Sequence, residues 1–243
     1  MRFDGIKEQS AFTLVELVIV IVILSALGIM TSRYIGTGLD IYSDATDRDK
    51  SLNSVRFVME RLRREVSNAL PNSLEVSGGD QCLTFTPIIA SSVYTDFPIS
   101  PSYGNTGTIS PISDYNYSSG DKAVVYLLSS DQLNSTDKVN PIASINTDKD
   151  ILTFNTAISF SLNSPAKRVY IIQHNISYCF IGDDLKRQVD SGEYVLMAEN
   201  IIGSFKVSNA TLQRNALVKV YFELDFDGQE VPIEQTLHIN NTP

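Results

Sequence analysis

The residue of this 243-residue chain that most needs a chemical explanation is Glu16. It is the single charge in the 19-residue run from Phe12 to Met30. A carboxylate inside a membrane-length helix costs roughly 2.5–3.5 kcal/mol at the centre and less near an end. It must therefore snorkel to an interface or find a cation, because a lone buried charge is not tolerated. Two further residues carry redox chemistry, Cys82 and Cys179. They form no CxxC or metal-ligand spacing, so outside the cytoplasm they read as a disulfide; the alternative is two unrelated buried thiols. The two histidines, His174 and His238, stand in no HExxH, and the chain holds no GxSxG, P-loop or GxGxxG. Asp225, Asp227, Gly228 and Glu230 offer oxygen atoms to Ca²⁺, but their spacing is not that of an EF-hand loop, and a hairpin turn uses Asp-Gly anyway. The expectation is a protein with no catalytic residue, no cofactor, no metal and no enzymatic activity of its own.

The elements that must position Glu16 follow from the pattern around it. At 1.5 Å per residue the run Phe12–Met30 spans roughly 28 Å as a helix, close to the hydrocarbon core of a bilayer. Residues 1–11 carry Arg2 and Lys7 against Asp4 and Glu8, a net-neutral leader with a poor positive-inside signal. Beyond Met30 the helix is expected to continue over residues 31–70. Gly28, Gly36 and Gly38 each cost roughly 1 kcal/mol relative to Ala, which predicts a bend or local melting between 28 and 38. Leu52, Val55, Met59, Leu62, Val66 and Ala69 then recur at spacings of three and four, one amphipathic stripe suited to packing on the chain's own β domain. Arg61, Arg63, Arg64 and Glu65 ring the helix end as a solvated or ion-paired face, and Pro71 stops the helix.

From Ser73 onward the period changes to two. Strands are expected at Leu74–Val76, Cys82–Ile88, Ala123–Leu128, Ile151–Phe154, Val169–Gln173, Ile176–Ile181, Tyr194–Ala198, Ile201–Val207 and Leu217–Phe226. In the last of these, Val218, Val220, Phe222 and Leu224 alternate with Lys219, Tyr221, Glu223 and Asp225. Asp227-Gly228 suits a type I′ turn before a returning strand through Val231, Ile233, Leu237 and Ile239, which Pro232 pushes to an edge or a late start. His238 falls on the solvent-facing register of that strand. Residues 91–120, rich in Ser, Pro, Gly, Asn and Tyr, read as a long loop that exposes Tyr94, Tyr103, Tyr115 and Tyr117 for subunit contact or packs them. The net charge is −9, and after Pro71 ten basic residues face 19 acidic ones. Such a domain repels a phosphate backbone, so nucleic acid is not an expected partner.

Ala11-Phe12-Thr13-Leu14-Val15-Glu16, followed at once by an unbroken apolar run, resembles the processing site of type IV prepilins and type II secretion pseudopilins. The resemblance covers the leader and the apolar helix. It implies that a prepilin peptidase cuts between Ala11 and Phe12 and that the new Phe12 amine is methylated, although Ala11 stands where the family usually has Gly. It also implies a single-pass inner-membrane protein with its C-terminal domain in the periplasm, which later joins a pilus or pseudopilus. The implied partners are the peptidase, other major and minor pilins and the inner-membrane assembly platform. Methylation keeps the charge on the amine, so Glu16 of one subunit could pair with the Phe12 amine of a neighbour and set the axial register.

A weaker resemblance runs through Arg61-Leu62-Arg63-Arg64-Glu65, the Cys82-Leu83-Thr84-Phe85 strand, Ser177-Tyr178-Cys179 and Leu185-Lys186-Arg187. It is to the large minor pilins of the pseudopilin J and PilW-like group, low-abundance subunits thought to prime or cap a filament. The expected fold is α+β and pilin-like, a long N-terminal helix packed on a C-terminal antiparallel β domain. Its parts are a leader (1–11), a membrane and filament-core helix (12–30), an amphipathic continuation (31–70) and the periplasmic β domain (71–243). Two other readings compete: a secreted adhesin released after Gly28, and a bitopic membrane protein with an unrecognised enzymatic site.

Overall fold

A computed structural model describes residues 13–208, 216–226 and 229–240 of the chain. It divides into two compact units, Met1–Lys50 and Ser51–Pro243. The helix α1 (Leu14–Ser67) is 54 residues long. Its helical pattern runs through Gly28, Gly36 and Gly38 without interruption, so the expected melting does not occur. A cost of about 1 kcal/mol at each of three glycines, spread over a 54-residue helix, does not interrupt its hydrogen-bond ladder.

Within the first unit, the helix from Leu14 to Met30 leaves every side chain exposed. Within the second, Val55, Val58, Met59, Leu62 and Val66 are buried. This is the expected stripe with Val58 added, and it packs into one core with the strands that follow. The helix ends at Ser67, four residues short of Pro71.

The strands follow in order. Strands β1 (Glu75–Ser77) and β2 (Cys82–Phe85) open a sheet that the chain then leaves. The next six strands are β3 (Ile88–Asp96), β4 (Gly104–Ile109), β5 (Lys122–Val124), β6 (Val139–Ile145), β7 (Ile151–Ile158) and β8 (Arg168–Ile172). They close into a barrel in the order β3-β4-β7-β6-β5-β8. The chain then returns through β9 (Ile176–Ile181), β10 (Asp184–Val189) and β11 (Val195–Glu199), which complete an antiparallel sheet in the order β1-β2-β9-β10-β11. Finally β12 (Ile201–Ser208), β13 (Leu217–Phe226) and β14 (Gln229–His238) form a three-stranded sheet. The architecture is α+β, a long N-terminal apolar helix followed by an antiparallel β-rich region.

The barrel corrects the expectation of a long loop over residues 91–120. Strand β3 reaches Asp96, and β4 occupies Gly104–Ile109. Their exposed positions mix Ser91, Thr95, Asn105 and Thr106 with Ile89 and Val93, and pairing slips occur between Tyr94 and Asp96 and between Gly104 and Thr106, so no clean apolar alternation marks them. Two of the four tyrosines there serve the barrel interior. Tyr94 is 4% and Tyr115 3% exposed, against 77% for Tyr103 and 37% for Tyr117. The Tyr94 hydroxyl donates to Asn163 Oδ1 (2.6 Å) and accepts the Ser164 N–H (2.9 Å). The Tyr115 hydroxyl donates to Asp121 Oδ2 (2.7 Å), and burial pushes the Tyr115 phenol upward, with the Asp121 carboxylate adding to the shift.

The expected strand Cys82–Ile88 divides at Thr86-Pro87, where the chain passes from one sheet to the barrel. Strands β6 and β10 escape a period-two reading because few of their side chains are apolar on alternate positions. In β13 the alternation is as read: Val218, Val220, Phe222 and Leu224 are buried, and β14 lies at the edge of its sheet with Pro232 opposite Glu223. The Asp227-Gly228 turn and the side chain of Asp225 lie outside the described residues.

Candidate functional site: the N-terminal helix and its anchor on the sheet

Ala11 and Phe12 lie outside the described residues. Thr13 is the first residue described, and it caps α1. Its Oγ1 accepts the Glu16 N–H (3.3 Å) and its carbonyl accepts the Leu17 N–H (3.2 Å). Thr13-Leu14-Val15-Glu16 thus has the S/T-x-x-E spacing of a capping box, a signal present in the sequence that the reading for charge passed over. An N-cap hydroxyl contributes about 1 kcal/mol to a helix. Glu16 sits in the first turn, where a carboxylate also interacts favourably with the positive end of the helix dipole. Its position is therefore set twice, by the cap and by the apolar run that begins one residue later.

That run is a continuous apolar surface. Leu14 is 79% exposed, Leu24 62% and Met30 73%. Exposed apolar residues continue past it with Tyr34, Ile35, Leu39, Ile41 and Tyr42. Among the described residues, α1 is the one helix long and apolar enough to cross a membrane. A surface of this kind in water is unstable, and bilayer or partner helices must cover it.

At the other end of α1, in the second unit, the basic ring is ion-paired rather than free. The Arg61 Nε donates to Glu65 Oε1 (3.1 Å), and Glu65 Oε2 accepts the Tyr178 hydroxyl (2.8 Å) and the Arg187 Nε (3.2 Å). Tyr178 and Arg187 are register partners across β9 and β10. The structure therefore brings together the Arg61–Glu65 segment, the Ser177-Tyr178-Cys179 strand and the Leu185-Lys186-Arg187 strand around one carboxylate. Burial, then the Glu65 charge, pushes the Tyr178 phenol upward. Glu60 is held down to about 2 by hydrogen bonds from Arg63 and then Arg64.

Cys82 and Cys179 face each other across β2 and β9 and form a disulfide with the Cα atoms 4.1 Å apart. They sit three residues from the points where the chain leaves the sheet after Phe85 and returns to it at Ile176, at the far end of the stretch that pairs β2 with β9. His174 Nδ1 lies 2.6 Å from Asp190 Oδ2 in an exposed pair, and His238 is exposed on β14. The two histidines lie far apart in the chain, and the His174 ring is held by the Asp190 carboxylate. Asp183 and Asp184 fall at the β9–β10 turn, where Gly182 has φ +65°, and Asp184 pairs with Lys186 (3.3 Å). Asp150 belongs to the β6–β7 turn and accepts the Asn146 Nδ2 (2.6 Å).

Residues 6–32 match the family described as the prokaryotic N-terminal methylation motif. The chain thus carries a type IV pilin-like N-terminal signal, one that implies processing by prepilin peptidase and membrane-associated assembly. The matched residues include Ala11, Phe12 and Glu16, while the β-rich region lies outside them. Comparison with curated proteins and with solved structures finds no match for the chain.

Proposed function

We propose that the chain is a minor subunit of a type IV pilus, a structural and assembly protein on which the peptidase and methyltransferase act and which catalyses nothing itself. The observation that carries this reading is the methylation motif joined without a break to an exposed apolar run, up to Met30, whose sole charge, Glu16, falls in the capped first turn of α1. Prepilin peptidase cuts between Ala11 and Phe12, and Phe12 is methylated. Leu17–Met30 anchors the subunit in the inner membrane, with the C-terminal region in the periplasm, until the assembly platform extracts it. The helix then joins a bundle with those of major and minor pilins. Glu16 pairs with a neighbour's Phe12 amine, and the acidic β-rich region selects the neighbours. The motifs gathered around Glu65 support a large minor pilin of the pseudopilin J and PilW-like group, similar to the pilus biogenesis protein MshO, with a priming or capping role. The same features suit a pseudopilin of a type II secretion system, since the N-terminal chemistry is common to both.

The role of Glu16 has its own test. Glu16→Gln keeps the side-chain length and the Thr13 cap but removes the charge. It is expected to leave processing intact while the subunit falls out of the sheared filament fraction at least about tenfold, the discrimination expected from losing one buried charge pair. Undiminished incorporation of the variant contradicts the pairing of Glu16 with the Phe12 amine.

A further inference from the structure

The loop between β4 and β5 holds an acceptor motif that the N-terminal assembly reading does not use. Asn-x-Ser/Thr, with x other than proline, is the minimal acceptor for N-linked glycosylation. In this chain Asn116, Asn134, Asn175, Asn209 and Asn240 each begin such a triplet. Bacterial oligosaccharyltransferases ask for one group more, a carboxylate two residues before the asparagine. Asp114-Tyr115-Asn116-Tyr117-Ser118 supplies it. The residues in that place before the other asparagines are Gln132, Gln173, Val207 and His238.

The fold presents this motif as a transferase must meet it. Residues 115–118 lie in no helix or strand, and Asp114, Asn116 and Ser118 are exposed. Tyr115 between them is buried, and its hydroxyl bond to Asp121 Oδ2 fixes the loop from below. The same oxygen accepts the Ser118 N–H (2.8 Å). Lys149 Nζ donates to the Ser113 carbonyl (2.6 Å) and to Asn116 Oδ1 (3.2 Å). The Asn116 amide is thus held by its oxygen. Its nitrogen Nδ2, the atom that takes the glycan, has no partner among the described residues, and neither has the Ser118 hydroxyl. The Asp114 carboxylate is met by the neighbouring Ser113 hydroxyl at 3.5 Å, the outer limit of a hydrogen bond.

Asn175 is closed by comparison. Its Oδ1 accepts the Thr86 hydroxyl (2.7 Å), and the Ser177 hydroxyl of its triplet lies 2.8 Å from that of Thr84. Ser177 pairs with β2 on one side and with β10 on the other. A transferase draws the acceptor chain into its own site, and a central strand cannot follow without breaking both ladders. Asn134 ends a single 3₁₀ turn (Ser130–Asn134), and the Ser135 beside it is hydrogen-bonded to Asp137. The Asn116 loop can be drawn out at no cost in strand pairing, as surface loops that carry function generally can.

We propose that Asn116 is an acceptor for N-linked glycosylation, its donor an oligosaccharide carried on a polyprenyl diphosphate. Nδ2 attacks C1 of the first sugar. The N–C1 bond forms, the C1–O bond breaks, the polyprenyl diphosphate leaves with the electron pair, and a base of the transferase takes the amide proton. In cells this step rests on the periplasmic placement of the C-terminal region, so the test has an arm that does not. The full chain, folded in detergent, is incubated with a purified bacterial oligosaccharyltransferase, its divalent metal and the lipid-linked donor. Intact mass and glycopeptide mapping read the product. One glycan is expected, on Asn116. Asp114→Asn is expected to slow transfer at least about tenfold, the loss of one charged contact to the transferase, and Asn116→Gln to abolish it, both at an unchanged thermal midpoint. Asn134→Gln accepts the glycan as the unmodified chain does. No transfer to the folded chain, transfer indifferent to Asp114→Asn, or a glycan on another asparagine overturns the proposal. In protein recovered from cells, a chain that begins at Phe12 is expected to carry the glycan. A bare Asn116 in that chain overturns the proposal and leaves the assembly reading standing. A chain that begins elsewhere contradicts the assembly reading, and the purified reaction then decides the site by itself.

Discussion

Cys82→Ser is expected to lower the unfolding free energy of the second unit by about 3–5 kcal/mol. The bond joins residues 97 apart in sequence, and the whole six-stranded barrel is contained in the loop it closes. Without it, β2 and β9 are held at the base of that loop by their own four-residue register and by the Thr84–Ser177 hydroxyl contact of 2.8 Å. In the chain-entropy view, the cost of closing a loop of this length returns to folding when the link is cut, and longer loops return more. Urea titration of the full chain in detergent measures this as a fall in midpoint. Reducing the unmodified protein should reproduce the shift, and reduction should add nothing to the variant. An unchanged midpoint would show that strand pairing alone holds the base of the barrel.

Gly203→Ala is expected to cost about 3 kcal/mol, at the upper end for overpacking because the obstruction includes backbone. A Cβ at Gly203 would meet the carbonyl oxygen of Tyr221 and the ring of Phe180 well inside contact distance. Phe180 cannot step aside. Its ring lies 5.1 Å from that of Phe205 and 5.7 Å from that of Phe222, in the core that also holds Leu62 and Val66 of α1. The substitution therefore pushes apart the three-stranded sheet and the five-stranded sheet at the point where both cover the helix. Thermal unfolding of Gly203→Ala beside Ser204→Ala reads the effect, with the second variant close to the unmodified protein. Equal midpoints for the two contradict the close approach at residue 203.

The helix, its buried stripe and the β13 alternation are legible in sequence because each repeats one local period over several turns or pleats. The barrel is not. Strands β3 and β4 mix Ser, Thr and Asn with Ile89 and Val93 on their exposed positions, and bulges move their few inward residues out of register. Composition alone therefore resembles a loop, and the closure of β8 on β3 joins segments about 80 residues apart. The site divides the same way. Glu16 stands out because a charge interrupts an apolar run, and the two cysteines stand out because they are two. Thr13 is equally legible through its spacing to Glu16, but a cap leaves no trace in hydropathy. The carboxylate of Glu65 meets Tyr178 and Arg187 across sequence separations of 113 and 122 residues, and no local pattern carries such a contact.

The account rests on what happens between Ala11 and Phe12, and N-terminal mass spectrometry of the protein recovered from cells tests it directly. The expected mature chain begins at Phe12 and carries one added methyl group on its α-amine. A chain that begins at Ile29, as release after Gly28 would give, or one that retains residues 1–11, contradicts the assignment.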